Sequence, residues 1–165
     1  VGIIQADSGL TLPDFAAEER TFELLTQVIG RVGRGHLDLA DVIVQTYQPD
    51  HPVIQTALAA DYPAFAEYLL QKRRSGQLPP YTYLARLAIT YKTEKTTVQK
   101  IQAAHSSLSQ ISGLILSPPA PAFHERTARG YTWQFTIKST SRETLRRALL
   151  PFAKFHIELD PPSML

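Results

Sequence analysis

Apolar positions along this chain change their period as the chain proceeds. Phe22, Leu25, Ile29 and Val32 recur at i, i+3, i+7 and i+10, a helical spacing, and the helix is expected to run from Phe15 until Gly35 breaks it. Two β-branched runs flank it, Val1 to Gln5 and Val42 to Tyr47, and both read as core strands. A helix is expected from Asp50-His51-Pro52 to about Ala60, with proline tolerated in its first turn. A second starts at Asp61-Tyr62-Pro63, carries Phe65, Tyr68, Leu69 and Lys72 at helical spacing, and ends at Lys72-Arg73-Arg74 before Gly76. Gln77-Leu78-Pro79-Pro80-Tyr81 is then the clearest boundary in the chain.

Beyond that boundary the order is strand, helix, strand, strand, helix, strand. Tyr83, Ala85, Leu87, Ile89 and Tyr91 alternate as a half-buried strand does. A helix from about Glu94 to Ile111 presents Val98, Ile101, Leu108 and Ile111. Leu114 to Leu116 precedes the proline-rich edge Pro118 to Ala122, and His124 to Gly130 reads as a basic tip. Tyr131, Trp133, Phe135 and Ile137 alternate against polar neighbours. Thr140 and Glu143 have the spacing of a capping box, opening a helix that buries Leu145, Ala148, Leu149 and Phe152. Phe155, Ile157 and Leu159 give the last strand. This order fits a ferredoxin-like α/β sandwich, an antiparallel sheet under two helices. The expected divisions are 1–50, a helical bridge at 51–78, and a terminal domain at 79–165.

Composition narrows the choices. The chain has 165 residues, 44% of them hydrophobic, and a net charge of +2, so any nucleic-acid surface must come from local clustering of cations. It has no cysteine, which removes disulfides and thiolate metal sites, and His105, His124 and His156 lack metal-ligand spacing. No apolar run approaches the ~18 residues of a membrane span. Val1 to Gln5 is unlike a signal peptide and reads as a strand entered midway, so the chain is expected to be part of a longer one.

The candidate chemistry begins on the first helix. Gln27, Arg31 and Arg34 fall on one face, opposite the apolar stripe, with Gly30 and Gly33 beside them. Arginine offers a fixed donor fork for phosphate oxygens, and two glycines in a helix cost roughly 1 kcal/mol each unless something must approach its backbone. The simpler alternative is a solvated basic face. Asp7, Ser8 and Gly9, in the loop after the first strand, can meet phosphates or sugar hydroxyls or form an ordinary turn. Lys72-Arg73-Arg74 complements a helix C-terminus. In the terminal domain Arg126, Arg129 and Lys138 lie near Tyr131 and Trp133, a mixture that can hold single-stranded DNA. Those two rings share a face with Phe135 and Ile137, however, which favours core packing. Arg142, Arg146 and Arg147 form a further basic patch.

The string Gln27-x-x-Gly30-Arg31-x-Gly33-Arg34 resembles motif VI of superfamily 2 helicases. Together with Ala6-Asp7-Ser8-Gly9, Pro13-Asp14-Phe15 and Glu19-Arg20 before it, and the Pro-Pro joint after it, the chain resembles the primosomal protein N′ family of bacterial replication-restart DNA helicases, from motif V onward. Gln5 and Val32 stand where that family usually has Asp and Ala, and the loop Gly35 to Asp41 departs from its Gly-x-x-Gly-Glu pattern. The resemblance implies the end of a RecA-like second helicase lobe followed by the ferredoxin-like domain. It implies that Arg31 and Arg34 are arginine fingers for ATP with Mg²⁺, with Gln27 as a companion contact. Asp7, Ser8 and Gly9 would couple the nucleotide cleft to DNA, and Arg20 would have a supporting role. It further implies that Arg142, with Arg146 one turn on, binds the acidic, Phe-ending tail of single-stranded-DNA-binding protein.

Forked or single-stranded DNA and other primosome proteins are the further implied partners, and a bacterial, nucleoid-associated cytoplasmic location the implied setting. The family's zinc ligands lie outside this chain. No Walker A loop occurs in it, so on this reading it cannot hydrolyse ATP alone and supplies motif VI to an ATP-dependent 3′→5′ helicase. The competing readings are another superfamily 2 motor lobe and a non-enzymatic nucleic-acid-binding module.

Overall fold

The computed structural model describes residues 1–31 and 41–163, and the chain divides into two compact units, Val1–Lys72 and Arg73–Leu165. In the first unit a strand β1 (Gly2–Ile3) runs parallel to β2 (Ile43–Val44). The ladder is extended by Ile43 N–H to Val1 O, Gln45 N–H to Ile3 O and Ala6 N–H to Gln45 O at 2.8–3.0 Å. Between them lie a short 3₁₀ turn, Ser8–Thr11, and the helix α1 (Ala17–Ile29). The Asp14 carboxylate accepts the Ala16 amide and pairs with Arg20 at 3.1 Å, while Glu18 and Glu19 occupy the first turn, where the helix dipole favours acids.

Helix α2 (Pro52–Leu58) is capped by His51, whose Nδ1 accepts the Val53 amide at 3.2 Å. Helix α3 (Tyr62–Ser75) opens with Asp61 accepting the Ala64 amide. The segments expected as lobe end and as bridge share one core: Ala6, Phe22, Leu25, Val53, Ile54, Ala57, Phe65 and Leu69. The Phe22 and Phe65 rings stack at 3.8 Å.

Three expectations change here. The two runs expected as core strands pair over two residues each, and only one side of them is packed: Ile3 and Val44 meet the core, whereas Ile43 is 73% exposed. Strand alternation sends successive side chains to opposite faces, and among the described residues nothing covers the second face. The helix expected to reach Gly35 ends at Ile29, with Gly30 as its C-cap and the Arg31 amide bonding back to Val28 O. A low helix propensity at Gly30 accounts for the early end, and Arg31 stands just past the helix rather than on it. Val32, Gly33 and Arg34 lie outside the described residues.

The second unit is an antiparallel sheet with two helices. Its strands are β3 (Tyr83–Tyr91), β4 (Ile115–Leu116), β5 (Ala120–Thr127), β6 (Gly130–Ser139) and β7 (His156–Leu159). They lie in the order β4-β6-β3-β7, with β5 also pairing β6. Helices α4 (Glu94–Leu108) and α5 (Arg142–Leu149) supply Ile101, Ala104, Leu108, Leu145, Ala148 and Leu149 to a core built on Ala85, Leu87, Ile89, Phe135 and Ile137. Thr97, fully buried in α4, donates to both Thr93 O and Tyr131 O, tying that helix to the sheet.

Gly130 opens β6 at φ 127°, and a Cβ there would stand 2.1 Å from Tyr91 O; only glycine fits. Two local readings are corrected. His124 to Thr127 belong to β5, not to the hairpin tip, because Arg126 and Thr127 pair across to Tyr131 and Gly130. The cap of α5 is Ser141, whose Oγ accepts the Thr144 amide at 3.2 Å, so Thr140 is not the capping residue and Glu143 is left to the arginines after it.

Candidate functional site

In the first unit the loop from Gln5 to Gly9 is held against α1 by identifiable contacts. Gln5 turns the chain with φ 54°. Asp7 is buried and accepts the Tyr47 amide at 3.3 Å, fastening the loop to the segment after β2. Burial raises the Asp7 carboxyl, but hydrogen bonds from its own amide, the Tyr47 amide, and the Thr46 and Gln48 side chains outweigh that and leave it below the usual carboxylate value. A Cβ on Gly9 would stand 2.5 Å from Thr21 Oγ1, and that hydroxyl is itself committed to Ala17 O at 2.8 Å. Gly9 is therefore a packing glycine where the 3₁₀ turn rests on α1. Ser8 and Gly9 line one side of a groove of about 190 Å³ whose other side is Thr21, Leu24, Leu25 and Val28.

On the other side of α1, Gln27 is exposed and lines a shallow depression with Arg20, Glu23 and Leu24. Arg31 is exposed, one turn beyond Gln27. Gly30, beside it, has only the helix's own Thr26 carbonyl close to where a Cβ would lie, at 3.1 Å. Gln27 and Arg31 thus remain open to an anion such as a nucleotide phosphate; Arg34 and Gly33 fall outside the described residues. Arg20 is engaged by Asp14.

A feature invisible to pattern reading sits behind this face. Glu18, buried on α1, accepts Tyr68 OH at 2.9 Å and Lys72 Nζ at 2.7 Å, and His51 Nε2 lies 3.6 Å away. Burial, then the hydrogen bond to Glu18 and its charge, push the Tyr68 phenol up to about 12. Lys72, read from the sequence as part of a helix-end cation cluster, is thus the partner of a carboxylate 54 residues earlier.

The second unit brings its arginines together in part. Arg142 and Arg146 line a pocket of about 390 Å³ with Tyr83, Glu143, Leu145, Leu159 and Asp160. The Arg142 guanidinium stands 6.0 Å over the Tyr83 ring. Asp160, at φ 46°, donates its amide to Leu84 O at 2.7 Å and accepts the Leu84 amide on its carboxylate at 3.1 Å, so the end of β7 is fixed to the start of β3 at the pocket wall. Glu143 is engaged from two sides: Arg146 bonds both its oxygens, at 3.0 and 3.1 Å, and Arg147 Nε reaches Oε1 at 2.6 Å. The hydrogen bond from Arg146, then that from Arg147, hold the Glu143 carboxyl down at about 2.

The other cations expected to bind nucleic acid are spread out. Arg126 stacks 5.5 Å over Tyr131, and Arg129 lies in the adjoining turn; both are exposed. Lys138 is at the far end of β6, roughly 23 Å from Tyr131 by strand rise, and donates to Gly76 O at 2.8 Å. Trp133 is half-buried against the core, in keeping with a packing role. Among the described residues no three His, Asp or Glu side chains are grouped to hold a metal, and the chain has no cysteine. No helix among the described residues is long and apolar enough to cross a membrane.

Comparison with known proteins bears on both units. Residues 74–162 match the family model described as the primosomal protein N C-terminal domain. Over nearly its whole length the chain is similar to proteins named replication restart protein PriA. It is 37% identical to that of Haemophilus influenzae over 96% of this chain and 22% of the relative. The identity is 38% to that of Synechocystis over 99% and 21%, and 37% to that of Bacillus subtilis over 96% and 20%. The chain thus spans about a fifth of the length of these relatives.

Proposed function

This chain belongs to the primosomal protein N C-terminal domain family, and from that premise we propose that it acts in restarting stalled bacterial replication forks, as the C-terminal part of an ATP-dependent 3′→5′ DNA helicase. In this reading the first unit is the end of a RecA-like lobe. The parallel β1–α1–β2 crossover supports that reading, since parallel strands joined through a helix are the repeating unit of such sheets. Arg31, with Arg34 beyond it, stabilises charge on the transferring phosphate of ATP with Mg²⁺, and Gln27 assists. In the full-length protein, Arg31→Ala is expected to lower DNA-stimulated ATP turnover by about 10³-fold while ATP binding persists.

The second unit is in this reading a ferredoxin-like DNA- and partner-binding domain, supported by the strand order β4-β6-β3-β7 under α4 and α5. One observation carries the partner assignment: within the family-matched residues, Arg142 and Arg146 line one pocket together with the apolar surface of Tyr83, Leu145 and Leu159. A carboxylate beside a large apolar side chain suits that combination, and the acidic, Phe-ending tail of single-stranded-DNA-binding protein has both. Forked DNA is the second ligand, and the bacterial cytoplasm the setting.

The test is binding of a labelled acidic peptide ending in Phe, and of forked DNA, to this chain and to Arg142→Ala across a salt series. Peptide affinity is expected to drop about tenfold or more in Arg142→Ala, with DNA affinity kept. Peptide binding that ignores Arg142, or no peptide binding by the folded chain, overturns the partner assignment.

A further inference from the structure

The arginines of the second unit's pocket are not equally available. The Arg142 guanidinium stands over the Tyr83 ring and, among the described residues, has no ion pair, whereas Arg146 is tied bidentately to Glu143, and Arg147 shares the same carboxylate. Glu143 also lines the pocket itself, so an incoming carboxylate meets its negative charge directly. We propose that Glu143 is a resident competitor that sets the affinity and selectivity of this pocket for acidic peptides, by occupying Arg146 until a ligand carboxylate displaces it. The inference rests on the partner assignment above and adds to it the residue that governs it.

The geometry favours displacement over permanent closure. Glu143, Arg146 and Arg147 sit at i, i+3 and i+4 on one exposed turn of α5, with about half of each side chain or more in solvent, and ion pairs of this kind are weak in water. A ligand that brings a single carboxylate gains Arg142 alone. One that brings two can also exchange for Glu143 on Arg146, without leaving an arginine unpaired. The pocket therefore discriminates by the number of acidic groups near the apolar terminus, not merely by their presence.

The experiment compares a fluorescent peptide carrying several Asp residues before a terminal Phe on five chains: the unmodified one, Glu143→Gln, Glu143→Ala, Arg146→Ala, and the double variant of Glu143→Gln with Arg146→Ala. A second peptide, with all but one Asp replaced by Asn, is run in parallel. Glu143→Gln is expected to bind the acidic peptide about three- to tenfold more tightly and with a steeper salt dependence. Arg146→Ala should lose about half of the original affinity or less, yet abolish the gain when combined with Glu143→Gln. The Asn-containing peptide should gain less. Glu143→Ala, with thermal unfolding checked by circular dichroism, guards against a folding artefact of the first variant. Unchanged or weaker binding in both Glu143 variants, with Arg142 dependence intact, overturns the competitor role alone. No binding by any variant overturns the partner assignment and this inference together.

Discussion

The two units solve the problem of burying a sheet in different ways. In the second, five strands and two helices enclose one core, and its central strands β3 and β6 are flanked by further strands. In the first, the sheet among the described residues is two residues deep and two strands wide, and the core lies between α1, α2 and α3 instead. Its strand residues Ile43 and, just after β2, Tyr47 are 73% and 83% exposed. The first unit holds itself together largely through helix packing and one carboxylate, Glu18, that ties α1 to Tyr68, Lys72 and His51. Order in the second rests on long-range strand pairing. The first leaves Gln27 and Arg31 exposed at one end of α1, and the second presents a pocket whose walls are fixed from both sides.

That contrast can be broken by core deletions. Phe135→Ala should cost about 3–5 kcal/mol and move the urea transition reported by Trp133, the single tryptophan of the chain, which packs in the same core. Phe22→Ala, which removes the ring stacked on Phe65, should leave that fluorescence transition nearly in place while lowering helical circular dichroism early. Equal shifts in both signals would erase the distinction between the units. Glycines sharpen it further. Gly130→Ala meets backbone at Tyr91 O and should cost about 3 kcal/mol or more, with no compensating second substitution. Gly9→Ala meets only the Thr21 hydroxyl and should cost about 1–3 kcal/mol, most of it recovered in the Gly9→Ala, Thr21→Ala double variant.

Alkaline pH tests the Glu18 cluster. The Tyr68 phenol is raised to about 12 in the folded state, above an unfolded value near 10. The folded state therefore holds this proton more tightly, and the contribution is complete below about pH 10 and lost as pH rises towards 12. Helical signal from the first unit should fall in that window, and Tyr68→Phe should flatten the dependence. The smallest expected effect is a gain: Gln5, held at φ 54°, becomes more stable by about 0.5–1 kcal/mol as Gln5→Gly, read as a shift of the same helical transition.

Much of the second unit was legible because alternation and helical spacing there coincide with burial. Ala85, Leu87, Ile89, Phe135 and Ile137 face the helices as their period requires. The first unit was less legible for the opposite reason. Val1 to Gln5 and Val42 to Tyr47 have the composition of strands and do pair, but composition does not set how many residues of each run enter the ladder. The cap lies one residue from its sequence signature: the T-x-x-E spacing marks Thr140, but the hydroxyl that reaches a helix amide is that of Ser141. The Glu18 cluster could not be read at all, since its partners lie 50 and 54 residues away along the chain. Arg142 and Arg146 were nameable from their helix, yet the pocket that gives them meaning needs Tyr83 and Leu159 from two other elements.

The paired hydrogen bonds between Asp160 and Leu84 join groups 76 residues apart. Contacts of such sequence separation close late, after the local hairpin β5–β6 and the helices, because the chain entropy of a long loop must be overcome first. The wall of the arginine pocket is thus among the last parts of the second unit to be assembled. Half-folded chains, even with most of the sheet in place, would lack this wall, and the pocket would be complete only when folding is finished.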